Sequence, residues 1–218
     1  MSGTPSASVK HTALQVRYHG CVDYEQMWRQ MLDFTTARKT NTPDELWVCE
    51  HPPVYTLGQA GAREHLLADN GIPLIKTDRG GQITYHGPGQ LVVYLMLDVV
   101  RRRLKVHELV FRIEQAMIDL LSSQGVAATR QKDAPGVYVS QDATIAKIGS
   151  LGIRVRKKGC YHGLSLNVDM DLQPFSAINP CGYAGLAVTQ TKNLGITLGL
   201  DEIARRLVTH LTFQLEKA

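Results

Sequence analysis

The stretch Arg79-Gly80-Gly81-Gln82-Ile83-Thr84-Tyr85-His86-Gly87-Pro88-Gly89-Gln90 constrains this chain more than any other, because it sets four glycines around a short β-capable run and then leads into an apolar strand. Glycine costs conformational entropy on folding, so such a cluster marks backbone that needs positive φ or must admit a ligand or second segment at close range. A glycine-rich hairpin between two strands satisfies the spacing equally well. The polar side chains favour a ligand: Arg79, Gln82, Thr84 and His86 bring a cation, an amide, a hydroxyl and an imidazole to one loop.

Around this stretch the hydrophobic pattern alternates between strand and helix periods. Leu14, Val16 and Tyr18 alternate as in a strand, and Asp23 with Gln26 forms a capping-box pattern opening a helix with Tyr24, Met27, Met31 and Phe34 on one face. Residues 46–50 and 54–57 read as strands separated by Pro52-Pro53, Leu74-Ile75 as a short buried strand, and residues 91–97 as a central strand. Leu109, Ile113, Met117, Leu120 and Leu121 make a helical stripe that stops near Gly125. Residues 137–139, 145–148, 153–155 and 164–168 read as consecutive short strands in antiparallel hairpins, and Ile203, Leu207, Leu211 and Leu215 close the chain as a helix. No repeat or linker divides the pattern. The expected architecture is one α/β domain over residues 1–218, a mixed sheet with flanking helices, with residues 1–10 a flexible tail.

A chain of 218 residues with 44% hydrophobic content can bury a full core. Its longest apolar run, residues 91–97, is far too short to cross a bilayer, and residues 1–10 carry no apolar signal core, so a soluble, cytoplasmic protein is expected. Cys21, Cys49, Cys160 and Cys181 are scattered without Cys-x-x-Cys spacing, which indicates neither a metal site nor a disulfide framework but reduced thiols. The formal charge of +4 is modest and points to neither nucleic acid nor membrane. Two local basic clusters stand out, Arg101-Arg102-Arg103 with Lys105, and Arg154, Arg156, Lys157 and Lys158; a solvated loop explains each as well as an acidic docking partner does.

Several side chains are candidates for chemistry. Cys181 lies in Asn179-Pro180-Cys181-Gly182-Tyr183, between a φ-restricting proline and a permissive glycine, in a turn whose amides can face a developing oxyanion. A lone cysteine also packs well as a small hydrophobe, the role expected of Cys21, Cys49 and Cys160; Cys160, beside Lys157 and Lys158, could equally have a lowered pKa but sits at a strand entrance. Lys147 sits in an apolar β run, Thr144-Ile145-Ala146-Lys147-Ile148-Gly149-Ser150-Leu151-Gly152. Strand alternation either exposes it or turns it into a cleft, where desolvation would lower its pKa toward that of a base. His86 and His162 occupy turn-like, glycine-flanked settings that suit shaping a pocket or donating a hydrogen bond, and His86 is the first alternative base by residue type.

Taken together, the stretch from Arg79 to Gln90, then Lys147-Ile148-Gly149-Ser150-Leu151-Gly152, His162-Gly163-Leu164-Ser165-Leu166-Asn167 and Asn179-Pro180-Cys181-Gly182 resemble the lipoyl(octanoyl) transferase family, in unbroken order over residues 46–185. The resemblance implies the α/β fold shared with biotin and lipoate protein ligases, and no cofactor. It implies transfer of an octanoyl group from acyl carrier protein to a lysine of lipoyl domains, those of 2-oxoacid dehydrogenases and the glycine cleavage H protein. It places an acyl-thioester cysteine on Cys181 and a pKa-lowering lysine on Lys147. Substrate contacts fall on Arg79, Gly80, Gly81, Gln82, Ile83, Thr84, Tyr85 and His86, on Ser150, Leu151 and Gly152, and on Gly163, Leu164 and Ser165. Three rivals differ in their requirements: an ATP-using ligase would not need Cys181, a thioesterase would release free octanoate, and an acyl-binding domain would leave Cys181 dispensable.

Overall fold

The computed structural model describes residues 14–141 and 144–217; the expected tail at residues 1–10 lies outside them. In chain order the strands are β1 (Gln15–Cys21), β2 (Glu45–Glu50), β3 (Val54–Leu57), β4 (Leu74–Lys76), β5 (Ile83–His86), β6 (Gln90–Asp98), β7 (Ala128–Gln131), β8 (Ala134–Gln141), β9 (Thr144–Arg156), β10 (Gly159–Asn167) and β11 (Ala187–Val188). The helices are α1 (Tyr24–Ala37), α2 (Val106–Ser123) and α3 (Leu200–Glu216). Among the described residues the main sheet runs β1-β2-β6-β10-β9-β8-β7, with β11 added to β9, and a small sheet runs β4-β3-β5. Pairing is mixed: β1–β2, β3–β4 and β9–β11 are parallel and the rest antiparallel.

Alternation decides which face each strand buries. Leu91, Val93, Leu95 and Leu97 of β6 face α2 and α3, whose Leu109, Ile113, Met117, Ile203 and Leu207 complete the largest apolar cluster. Val92, Tyr94 and Met96 face the other way, against Met27 and Met31 of α1. Both faces of β6 and β10 are therefore covered, as the continuous apolar run of residues 91–97 requires of a central strand.

The helix ends follow their local chemistry. Asp23 caps α1 by accepting from the Gln26 amide at 2.9 Å. At the end of α2, Gly125 takes φ +78°, while the Gly125 and Val126 amides return to Ser122 and Leu121, a Schellman closure.

Several elements differ from the sequence expectation. Residues 145–148 and 153–155 belong to one strand, β9, because the glycines at 149 and 152 stay extended between two paired neighbours. Leu74-Ile75 is only half buried, since β4 is an edge of the small sheet. The glycine stretch divides at Gln82, and residues 83–86 are strand β5 rather than loop. Its expected close approach is present at Gly89, with φ +84°, where a β-carbon would fall 1.9 Å from the Asp169 carbonyl oxygen.

The cluster at residues 101–105 divides: Arg103 and Lys105 are exposed, whereas its other two cations are engaged within the fold. Arg101 and Arg102, with Arg38, converge on the buried Asp44 carboxylate at 2.6, 2.6 and 2.9 Å. Cys21 also departs from expectation: it is exposed on the edge strand, whereas Cys49 and Cys160 are buried.

Candidate functional site

Cys181 sits in a single 3-10 turn, Pro180–Gly182, with φ +57°, a left-handed conformation uncommon for a side-chain-bearing residue. The turn is held from outside: the Asn179 amide donates to the His65 carbonyl at 2.8 Å, and Gly182 packs over Gln82 of the glycine loop. Gln82 in turn accepts from the Ala62 amide at 3.1 Å. The strained residue is thus fixed by two segments far away in sequence.

Lys147 reaches the same point from β9. The β8–β9 ladder pairs Val137 with Gly149 and then Tyr138 with Lys147, so β9 carries one extra residue, Ile148. Such a bulge re-aims the neighbouring side chains. Ile148 enters the apolar core, and Lys147, 3% exposed, places Nζ 3.0 Å from Cys181 Sγ.

Two further acceptors complete the shell of the amine: the Pro135 carbonyl at 2.9 Å and the Tyr138 hydroxyl at 3.1 Å. Tyr138 donates its own proton to the Ala134 carbonyl at 2.9 Å, so its oxygen faces Lys147 as an acceptor. Three donors meet three acceptors, which suits an ammonium beside a thiolate. Burial pulls Lys147 down, but the Cys181 sulfur, through charge and hydrogen bond, and Tyr138 outweigh it, so the amine lies above its ordinary value. The expectation that desolvation would lower it is not met, because the contacts with Cys181 and Tyr138 outweigh burial.

Arg79 organises the glycine loop from within. Its guanidinium donates to Thr56 Oγ1, the Thr56 carbonyl, the Gly80 carbonyl and the Gln82 carbonyl, at 2.6–3.0 Å. Among the described residues no carboxylate pairs with it, although it is 8% exposed.

The nearby histidines have assignable tautomers. Gln90 donates its amide to the Tyr85 carbonyl and to Asn167 Oδ1, so its oxygen must accept from His86 Nδ1 at 2.6 Å. Thr56 Oγ1, already accepting from Arg79, is left to donate to His86 Nε2 at 3.3 Å. Burial, His51 and Arg79 push His86 down to about 3. With its lone pair occupied, His86 is a poor base. His162 donates from Nε2 to Asp78 at 2.9 Å, and it lies within β10 with φ +60° rather than in a turn.

A cleft of about 350 Å³ opens over Cys181. Residues Arg79, Gly80, Gly81, Gln82, Ile83, Thr84 and His86 line it, as do Ser150, Leu151 and Gly152 of β9, and Gly163, Leu164 and Ser165 of β10. Tyr85 does not. It shares a strand face with Ile83 and packs on Tyr55 and Phe175. Lys147 contacts Cys181 but is not part of the lining. Cys160 is buried in the main core, with its thiol pushed up to about 12 by burial, and cannot serve as a nucleophile at neutral pH. The sequence reading missed the acceptors on β8, Pro135 and Tyr138; Ala134-Pro135-Gly136 ahead of an apolar run is the signal that marked a special strand entry. Among the described residues no helix is long and apolar enough to cross a membrane.

A family profile described as the lipoyl protein ligase A/B catalytic domain matches residues 23–212. The chain is 61% identical over 196 residues to an octanoyltransferase of Chromobacterium violaceum, covering 90% of this chain and 93% of that protein. It is 58% identical over 202 residues to an octanoyltransferase of Dechloromonas aromatica, covering 93% and 97%. Among solved structures, a bipartite lipoate protein ligase of Thermoplasma acidophilum aligns with a TM-score of 0.75 at 16% identity, over 94% of this chain and 84% of that one. A biotin protein ligase of Aquifex aeolicus aligns at 0.54 with 10% identity, over 94% and 70%. The fold is the one expected.

Proposed function

Because this chain belongs to the lipoyl protein ligase A/B catalytic domain family, we propose that it takes an octanoyl group from the thioester of an acyl carrier protein and passes it, through a thioester on Cys181, to a lysine of a lipoyl domain. Octanoyl transfer is the activity named in its relatives. The observation that carries the route is the 3.0 Å contact between Lys147 Nζ and Cys181 Sγ at the floor of an apolar cleft.

The steps balance on these two residues. The Cys181 thiolate attacks the donor carbonyl, the carrier's thiol leaves, and Lys147 supplies the leaving sulfur with a proton. Acylation removes the anion that held Lys147 protonated, and burial, now opposed by Tyr138 without the sulfur's charge, lowers the pKa of the amine. The neutral amine then takes a proton from the attacking lysine of the acceptor, the Cys181 thiolate leaves, and the ammonium–thiolate pair is restored. A thioester needs no further activation, so no ATP enters.

Ile83, Val92, Leu151, Ile153 and Leu164 give the cleft walls suited to an alkyl chain, at about 0.8 kcal/mol per methylene removed from water. The acceptor is of the lipoyl-domain type; the domains of 2-oxoacid dehydrogenases and the glycine cleavage H protein are the specific acceptors of this proposal. A cytoplasmic, reducing location belongs to it as well, since Cys181 must stay a free thiol.

The deciding experiment incubates the protein with octanoyl-carrier protein and apo lipoyl domain, without ATP, and weighs all species. Octanoyl-lipoyl domain with a transient octanoyl-Cys181 is expected. Release of free octanoate alone, or a requirement for ATP and free acid, would refute the proposal.

A further inference from the structure

Glu114 is a buried carboxylate that the steps above do not use. It lies on α2, 5% exposed. Its Oε2 accepts from Arg130 Nε at 2.9 Å, and its Oε1 accepts from the Gly136 backbone amide at 2.8 Å. Burying a carboxylate is costly unless each oxygen is matched. Here one oxygen is matched by a guanidinium of β7 and the other by a single amide at the entry of β8.

That amide belongs to the residue against which Lys147 lies. Gly136 has φ +143°, and a β-carbon there would fall 2.6 Å from Lys147 Cε and 2.8 Å from Nζ. Its neighbours on β8 are the acceptors of the amine, the Pro135 carbonyl on one side and Tyr138 two positions on. A shift of this strand entry of under an ångström therefore moves two of the three acceptors and closes the space the lysine occupies.

We propose that Glu114 is a positioning residue for the Cys181–Lys147 pair: by clamping the Gly136 amide it holds open the notch through which Lys147 Nζ reaches the sulfur. The inference rests on that pair being the reacting one. It predicts that losing the clamp weakens the contact between ammonium and thiolate without touching either group.

The readout is the pH dependence of Cys181 alkylation by iodoacetamide, followed on the Cys181 peptide by mass spectrometry because Cys21 is also exposed. Lys147→Met serves as reference and must move the wild-type profile to higher pH. Glu114→Ala is expected to move it in the same direction, with alkylation near neutral pH slowed about tenfold. Should Glu114→Ala not be recovered folded, Glu114→Asp tests the same point, since the shorter side chain keeps the charge for Arg130 but withdraws from the amide. A folded Ala or Asp variant with the wild-type profile overturns the inference. If Lys147→Met also leaves the profile unmoved, the failure belongs to the reading of the pair and not to Glu114 alone.

Discussion

Lys147→Met tests the proposed chemistry most directly, because methionine nearly matches the aliphatic stem in volume while deleting the charge. At the observed 3.0 Å, and with an effective dielectric constant of about 20, an ammonium favours a thiolate by about 5 kcal/mol. Cys181 is partly exposed and Lys147 is desolvated; both reduce the gain to about 2–3 kcal/mol, and because an ordinary thiol is already about 3% ionised at neutral pH, the loss of nucleophile on removing the charge is bounded at about 30-fold. Single-turnover acylation by an octanoyl thioester, read as the mass of the acyl-enzyme, should slow by about 10- to 30-fold and recover as pH approaches the ordinary thiol range near ~8.5. Lys147→Arg separates the two roles, for a guanidinium keeps the charge but accepts no proton. If it fits the notch, acylation should survive better than aminolysis, and octanoyl-Cys181 should accumulate when lipoyl domain is supplied. Wild-type rates in both half-reactions for Lys147→Met would refute the proton accounting.

Cys181→Ala should abolish transfer while circular dichroism and melting stay close to wild type; residual transfer at a tenth of the wild-type rate or more would sink the covalent route. Cys160→Ala, in the main core, should lower stability by about 1 kcal/mol and leave turnover unchanged, and Cys21→Ser should alter neither. Arg79→Met removes the guanidinium from the carbonyls of Thr56, Gly80 and Gln82, of which Gln82 keeps the Gly58 amide; at about 1–3 kcal/mol for each carbonyl left unpaired, both the melting temperature and the KM for donor should worsen. Stability should fall in mild acid: His86 is held neutral down to about 3, while the unfolded chain binds that proton below about 6.5. The unfolded state thus holds more protons across this window, and urea denaturation should show stability dropping by about 1.4 kcal/mol per pH unit from His86. His51 and His162, also lowered by burial, add in the same direction. A flat profile between neutral pH and mild acid would contradict the tautomer assignments.

The fold was legible wherever a period was complete. Residues 91–97 announce a strand covered on both faces, and the α2 stripe with Gly125 announces a helix and its end. What the sequence concealed was non-local. No local signal says that Arg101 and Arg102 are spent on Asp44, because the carboxylate arrives from a distant strand entry. Periodicity could not decide whether Lys147 is exposed, since one bulge residue, Ile148, sets its direction. Tyr85 was assigned to the site as part of a contiguous motif, but alternation along β5 sends it to the opposite face from His86. The order of motifs located the cleft, and only the fold separated lining residues from supporting ones.

The surroundings of the pair restrict where a proton and a charge can go. Burial lowers His51, His86 and His162 and raises Tyr24 and Tyr94, so none of these groups changes charge near neutral pH. In the proposed route the proton of turnover is carried by Lys147, the amine in contact with Cys181. In the proposed route the pair is thiolate and ammonium before acylation and thioester and amine after it, so its net charge is zero in both. Attack by the thiolate creates no new charge: it carries the negative charge from the sulfur, beside the Lys147 ammonium, to the carbonyl oxygen. Arg79, a buried cation with no carboxylate partner among the described residues, lies within Coulombic reach of Cys181. Its field lowers the barrier to the extent that the carbonyl oxygen takes up the charge nearer the guanidinium than the sulfur held it, the condition for an electrostatic interaction to favour the transition state rather than merely tighten binding.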